Sequence, residues 1–177
     1  MIEGKRTVLR ALERTDIARM HAWMNDPAVT TYLLVTYPIS LDQETSWYER
    51  QQSDERNKVF GIVERDTDRH IGNVGLHDID WVARKAEAGI VIGQKDCWGT
   101  GLGTDAMQTL LSFAFGTLNL NRVYLTVFAY NERAIRSYEK CGFRREGVLR
   151  RHHYGNGAYH DVMVMGILRE EHDALMR

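Results

Sequence analysis

Between Ile90 and Ala106 the chain reads Ile-Val-Ile-Gly-Gln-Lys-Asp-Cys-Trp-Gly-Thr-Gly-Leu-Gly-Thr-Asp-Ala: an apolar strand, a turn with glycine at alternate positions, and a helix start. Gly99, Gly101 and Gly103 remove three Cβ atoms from one short loop. Such a loop can turn its backbone N–H groups inward and let a bulky anion approach. Thr104 and Asp105 are expected to open the helix, whose N-terminus adds free donors and the positive end of a dipole. The stretch therefore predicts a diphosphate cradle joining a strand to a helix. It leaves open which diphosphate, and what chemistry is attached to it.

Composition narrows the partners. At 177 residues the chain is expected to form one domain spanning 1–177 and to bury a core without staples. A net charge of −1 offers no general attraction to nucleic acid or to an anionic membrane. No apolar run approaches the ~20 residues that span a bilayer. The opening Met-Ile-Glu-Gly-Lys-Arg is not followed by a hydrophobic signal segment. Cys97 and Cys141 are far apart and form no CxxC pair, so free thiols in a reducing, cytoplasmic setting are expected.

Periodicity and turn chemistry then set the order of elements. Thr7 to Leu12 is expected as a first strand, followed by a helix capped at Thr15 and ended at Asn25-Asp26-Pro27. Ala28 to Ile39 is apolar but irregular. Ser40 and Gln43 form a capping box for a helix to about Gln52. Lys58 to Glu64 and His70 to Asp80 make a hairpin, and Lys85 to Gly93 a further strand. Its Ala88–Ile92 part is apolar on both faces, as in a covered central strand. In the helix from Thr104 to about Thr117, Asp105, Gln108, Thr109, Ser112 and Gly116 share the polar face. Arg122 to Phe128 is a second central strand. Asn131 caps a short helix with Ala134, Ile135, Tyr138 and Cys141 inward; Gly142 stops it and Phe143 follows the stop. Phe143 to Arg150 and Tyr159 to Leu168 pair through a turn at Asn156-Gly157, and Arg169 to Arg177 suits a polar helix. The result is a mixed α/β single sheet with helices on both faces.

The glycine loop does not fit the two commonest nucleotide motifs. A dinucleotide fingerprint wants GxGxxG near the start of a βαβ unit, whereas here Asp105 follows Gly103-Thr104 and three antiparallel strands precede the loop. A phosphate loop wants Gly-Lys-Ser/Thr, which is absent. Trp98-Gly99-Thr100-Gly101-Leu102-Gly103 instead resembles the (Arg/Gln)-x-x-Gly-x-(Gly/Ala) motif of the GNAT superfamily of N-acetyltransferases. Trp98 in the Arg/Gln slot is similar to the branch of ribosomal-protein, spermidine and aminoglycoside acetyltransferases. Asn131-Glu-Arg-Ala-Ile-Arg-Ser-Tyr138-Glu-Lys-Cys-Gly142-Phe143 looks like that branch's Asn-x-x-Ala-x-x-x-Tyr-x-x-x-Gly-Phe block. Glu146-Gly147, Gly157, Tyr159, Asp161 and Met165 resemble its closing hairpin.

The resemblance implies the GNAT fold: a central mixed, mostly antiparallel sheet splayed between two central strands. It implies acetyl-CoA as cosubstrate, no metal, and acetyl transfer to a primary amine by direct attack in a ternary complex. A non-catalytic acyl-CoA-binding module is the alternative on the same fold. Carried over, Val91, Ile92 and Gly93 would serve the pantetheine, with Asn131 beside it. Gly99, Thr100, Gly101, Leu102, Gly103 and Thr104 would hold the pyrophosphate next to Trp98. Tyr138 would protonate the departing thiolate, and Glu87 would act as base, with His77, Asp78 and Asp80 as rivals. Cys97 and Cys141 read as packing residues, and His152, His153 and His160 as solvated loop histidines rather than metal ligands. The acceptor, a small-molecule or a protein or peptide amine, would be shaped by Pro27 to Gln52 and the loop near Trp81, with Trp47, Tyr48 and Trp81 as candidate walls. Many relatives of this kind are dimers, so a homodimer is compatible, although no sequence feature marks an interface.

Overall fold

A computed structural model describes every residue except Asn156 and Arg177. The described residues form one eight-stranded sheet. Its spatial order is β1 (Ile2–Glu3), β2 (Thr7–Arg10), β3 (Lys58–Glu64), β4 (Arg69–Asp80), β5 (Lys85–Ile92), β6 (Arg122–Phe128), β8 (Ala158–Leu168) and β7 (Arg144–Gly155). Every neighbouring pair is antiparallel except β5 and β6, which run parallel. The six helices are α1 (Ile17–Met24), α2 (Pro27–Thr30), α3 (Leu41–Ser53), α4 (Leu102–Gly116), α5 (Glu132–Lys140) and α6 (Arg169–Leu175). This is the mixed sheet expected from the sequence, with one strand more. No helix among the described residues is long and apolar enough to cross a membrane.

Two apolar clusters lie on opposite faces. Leu102, Ala106, Leu110 and Ala114 of α4 pack with Ile71, Leu76, Ala88 and Leu125 of the sheet. Met20 and Trp23 of α1 and Tyr48 of α3 form the other cluster. The Ser40 capping box stands as expected: Gln43 N–H donates to Ser40 Oγ and Ser40 N–H to Gln43 Oε1. The turn at Asn156 lies outside the described residues, but Gly155 and Ala158 pair on either side of it.

Several local expectations change for tertiary reasons. α4 starts at Leu102 rather than Thr104, because Gly101 (φ 88°) turns the chain and its carbonyl already accepts from Asp105 N–H. The first helix is not capped by Thr15. A short 3₁₀ turn, Arg14–Asp16, precedes it, and Asp16 reaches back to the Glu13 N–H at 2.8 Å. Asp105 and Thr109, expected on the polar face of the helix, are both buried. The Asp105 carboxylate accepts from the Lys5, Arg6 and Thr7 N–H groups and from Thr7 Oγ1 at 2.7 Å. It therefore straps the N-terminal strand pair across the first turn of α4. A Cβ on Gly4 would lie 2.3 Å from Thr109 Oγ1, so only glycine fits that crossing.

A second buried carboxylate ties α1 to the sheet. Asp16 accepts two hydrogen bonds from the Arg10 guanidinium, at 2.7 and 2.9 Å, and sits 3.1 Å from His70 Nδ1. Burial pushes the carboxyl up, but Arg10, the Glu13 N–H and His70 together outweigh it and hold it at about 2. A depressed carboxyl stabilises the fold above its unfolded value and loses that stabilisation as pH falls toward its folded value. Urea unfolding at pH 6 and pH 2 is expected to show a loss of about 2 kcal/mol assignable to Asp16. Arg10→Met, which removes the main charge partner, should shrink that difference and raise the pH of acid unfolding.

Candidate active site

β5 and β6 pair only at Lys85–Arg122, Ala86–Val123 and Glu87–Tyr124. Beyond Glu87 the strands part. β5 stays on β4, β6 stays on β8, and the facing edges bond to neither strand. Ala88–Ile92, expected to be a fully covered central strand, is therefore only part-covered. The gap opens a cleft of about 690 Å³, within the range that holds sizeable ligands. Ala88, Gly89, Ile90, Val91 and Ile92 form one wall, and Thr126, Val127 and Phe128 the other. Backbone N–H and C=O groups on two parted edges suit an extended ligand that carries amides.

The glycine loop closes one end. Gly99 (φ 76°) and Gly101 (φ 88°) hold left-handed conformations that cost a residue with a Cβ about 1–2 kcal/mol. Gly99, Gly101, Gly103, Thr104 and Trp98 line the cleft. The loop is braced from behind: Arg6 donates to Thr100 O at 2.6 Å, and Thr100 Oγ1 to Cys97 O at 2.7 Å. Thr100 thus supports the loop from its far side. The Leu102 side chain is core, so only its backbone is available to a ligand. The Trp98 indole N–H donates to Ile92 O at 2.7 Å, pinning the strand end to the loop, and Arg133 lies over its ring at 4.8 Å. Arg133, Arg136 and Lys140 bring positive charge to this end. Gly93 lies outside the cleft: its N–H donates to Ile71 O, and a Cβ there would strike the Trp23 ring.

α5 supplies the other predicted groups. Asn131 is buried, caps α5 by accepting from Ala134 N–H at 3.2 Å, and lines the cleft. Gly142 (φ 95°) ends the helix, and the Phe143 N–H returns to Tyr138 O. Phe143 also sets the Tyr138 ring edge-on at 5.9 Å. Tyr138 lines the cleft, and burial, reinforced by Cys141, pushes its phenol up to about 12. It keeps its proton at neutral pH and can donate it. Thr104 Oγ1 and Ser137 Oγ lie 2.8 Å apart, holding α5 to the start of α4. Glu87 stands at the fork where the strands part, and Thr126 Oγ1 donates to it at 3.0 Å.

Among its rivals, only His77 faces the cleft. Asp80 caps the Val82 and Ala83 N–H groups, and exposed Asp78 pairs with Arg56. The proposed aromatic walls lie elsewhere: Tyr48 is core, Trp47 packs beside it, and Trp81 is exposed. Tyr32, Leu33 and Leu34, in the irregular segment after α2, line the cleft instead, with Arg133 over the Tyr32 ring as it is over Trp98. That segment had been singled out as shaping the acceptor, but no periodicity marks which of its side chains turn inward. His152, His153 and His160 lie on strands rather than in a solvated loop. His153 stacks on Phe128 at 4.5 Å, and His160 meets Tyr130 edge-on. Cys97 and Cys141 are buried thiols whose pKa burial raises, as packing residues should be.

The chain has relatives that match this geometry. Residues 6–144 match the family described as acetyltransferase (GNAT) domain. A spermidine N(1)-acetyltransferase of Vibrio cholerae is 34% identical over 164 residues, covering 93% of this chain and 94% of the relative. An uncharacterized N-acetyltransferase, YoaA of Bacillus subtilis, is 31% identical over 172 residues, covering 96% and 97%. A crystal structure of a Vibrio cholerae spermidine N-acetyltransferase with CoA and spermine is similar at a TM-score of 0.88 and 32% identity, covering 94% of this chain and 98% of that one. Gly101→Ala is expected to weaken acetyl-CoA binding about tenfold in calorimetric titration, since ~1–2 kcal/mol of left-handed strain enters the loop. Gly116→Ala, where a Cβ meets nothing within 4 Å, should leave that affinity unchanged.

Proposed function

The chain belongs to the GNAT acetyltransferase family, and on that premise we propose how its residues divide the work. It is an N-acetyltransferase that uses acetyl-CoA and an amine. The observation that carries the site assignment is that the glycine loop, the parted β5 edge and Tyr138 all face one cleft.

In this reading the N–H groups of the loop and of α4's first turn receive the pyrophosphate, where the helix dipole and Arg133 favour negative charge. The free edge of β5 at Val91 and Ile92 receives the pantetheine, with Asn131 across from it. That lays the thioester toward the fork at Glu87. The amine attacks the carbonyl carbon, the C–S bond breaks, and the Tyr138 hydroxyl gives its proton to the sulfur. The Glu87 carboxylate attracts the acceptor's ammonium to the fork, where the ammonium gives its extra proton to cleft water and becomes the neutral amine that attacks. Holding both reactants in one cleft supplies much of the rate.

The acceptor we propose is a small-molecule primary amine. Relatives named for spermidine support a polyamine. The charge of the cleft favours an amine with fewer positive charges: among the described lining residues Glu87 is the one carboxylate, so a single ammonium finds a partner, while Arg133, Arg136 and Lys140 stand toward the pyrophosphate end. CoA release measured over a panel of amines separates the two, with a lower KM expected for a monoamine than for spermidine. A lower KM for spermidine would return the assignment to polyamines. In the same assay Tyr138→Phe should lower kcat about 100-fold or more while acetyl-CoA still binds. Unchanged turnover would remove Tyr138 from the acid role.

A further inference from the structure

His77 lies on β4 opposite Glu87, and its ring turns into the cleft beside the fork. The mechanism above gives the thiolate a proton and leaves the amine's proton without a destination. We infer that His77 is the catalytic group that takes it, held in the competent tautomer by Asn57. This inference rests on the acetyl-transfer reading of the cleft.

The tautomer follows from the hydrogen bonds. Asp54, at the end of α3, accepts from the Arg56 and Asn57 N–H groups and from Asn57 Nδ2 at 2.7 Å. The Asn57 amide is thereby fixed, with Oδ1 turned the other way. That oxygen lies 3.3 Å from the Asp78 N–H, a group that can only donate, and 3.2 Å from His77 Nδ1. Nδ1 must therefore carry the proton, and a neutral imidazole then holds its lone pair on Nε2.

Backbone geometry aims that lone pair. The β4–β5 register shifts between His77 and Asp80, with Asp78 at φ 47°. Such bulges re-aim a neighbouring side chain. A Cβ on Gly89 would lie 3.2 Å from Nε2, so the ring edge covers the β5 backbone two residues past its last pair with β6. A larger residue at 89 would crowd the imidazole out of the cleft.

Burial keeps the ring neutral. It lowers the His77 pKa below 6.5, and the carboxylates of Glu87, Asp78 and Asp54 offset only part of that. Arg56 pairs with Asp78, and Lys58 Nζ donates to Asp54 O, which moderates two of the three. When the neutral amine attacks, its nitrogen becomes strongly acidic. Nε2 accepts one proton from it, the C–S bond breaks, and the sulfur takes the Tyr138 proton. The proton on His77 then returns to the Tyr138 phenolate through cleft water. One amine and one thioester give one amide and one thiol, with no net proton left over.

The test uses the full chain with acetyl-CoA and an amine that the wild type accepts. His77→Gln is expected to lower kcat about 100-fold with acetyl-CoA affinity kept. It should also abolish the fall of kcat/KM on the acid side, which in the wild type lies below pH 6.5. ¹⁵N-labelled histidine reads the tautomer without substrate: Nδ1 protonated and Nε2 bare above that pH. Asn57→Leu should let the Nε2–H tautomer appear and lower kcat more than it raises KM. Wild-type kcat with the acid limb intact in His77→Gln, or an Nε2–H tautomer in the wild type, overturns the assignment. If His77→Gln does not fold, the labelled wild type and Asn57→Leu decide it. A wild type that releases no CoA with any amine counts against the acetyl-transfer reading, and the tautomer measurement still stands.

Discussion

β5 and β6 hydrogen-bond for three residue pairs and then separate, and the site is built from what that separation exposes. A sheet normally closes such a gap, because unpaired backbone groups away from water cost more than paired ones. Here neighbouring connections hold the strands apart. β5 runs at once into the glycine loop and α4, and Trp98 fastens the Ile92 carbonyl to that loop. β6 runs into a turn whose Asn131 caps α5, and the Thr104–Ser137 contact keeps α5 against α4. Each strand end is tied to its own helix start, and the first turn of α4 is tied to the second half of α5. The gap is thus braced from both sides, and its backbone edges are open to a ligand.

The supports of this arrangement lie far away in sequence. Asp105 sits in the first turn of α4, yet its partners are Lys5, Arg6 and Thr7. Arg6 also reaches the Thr100 carbonyl, so the first ten residues brace the outer side of the anion cradle. Leaving Asp105 buried without those partners would cost on the order of 1–3 kcal/mol or more. The N-terminal strand pair is small, but it fixes the loop to which the proposal assigns the pyrophosphate.

How much the sequence disclosed follows the range of the forces involved. Gly99, Gly101 and Gly142 were legible because each sits at positive φ, a local demand that glycine alone meets cheaply. The Ser40 and Asn131 caps were legible for the same reason: donor and acceptor are three residues apart. β1 was missed, since two residues carry no periodicity. The burial of Asp105 and Thr109 on the polar face of α4 was not legible, because a helical pattern records polarity, not the segment that crosses above it. The wall formed by Tyr32, Leu33 and Leu34 was legible only as a region. Gly93 was expected to close the strand, but β5 ends at Ile92 and packing against Trp23 keeps Gly93 out of the cleft. His77 was recognisable as a rival base. Its partner Asn57, twenty residues earlier, became visible only through the register of β3 and β4.

In the mechanism proposed above, acid and base are set by one physical cause. Removal from water disfavours the charged form of any group, which raises a phenol and lowers an imidazole. Tyr138 is pushed up to about 12 and keeps its proton, whereas His77 is pushed down and keeps its lone pair. Before reaction both are neutral, so the low-dielectric gap holds no unpaired charge at either post. Charge develops only when the amine attacks, and the two groups then take up and supply one proton each. Both groups line the cleft that the parted strands open. On that proposal a single break in the sheet serves both the cofactor arm and the proton transfers.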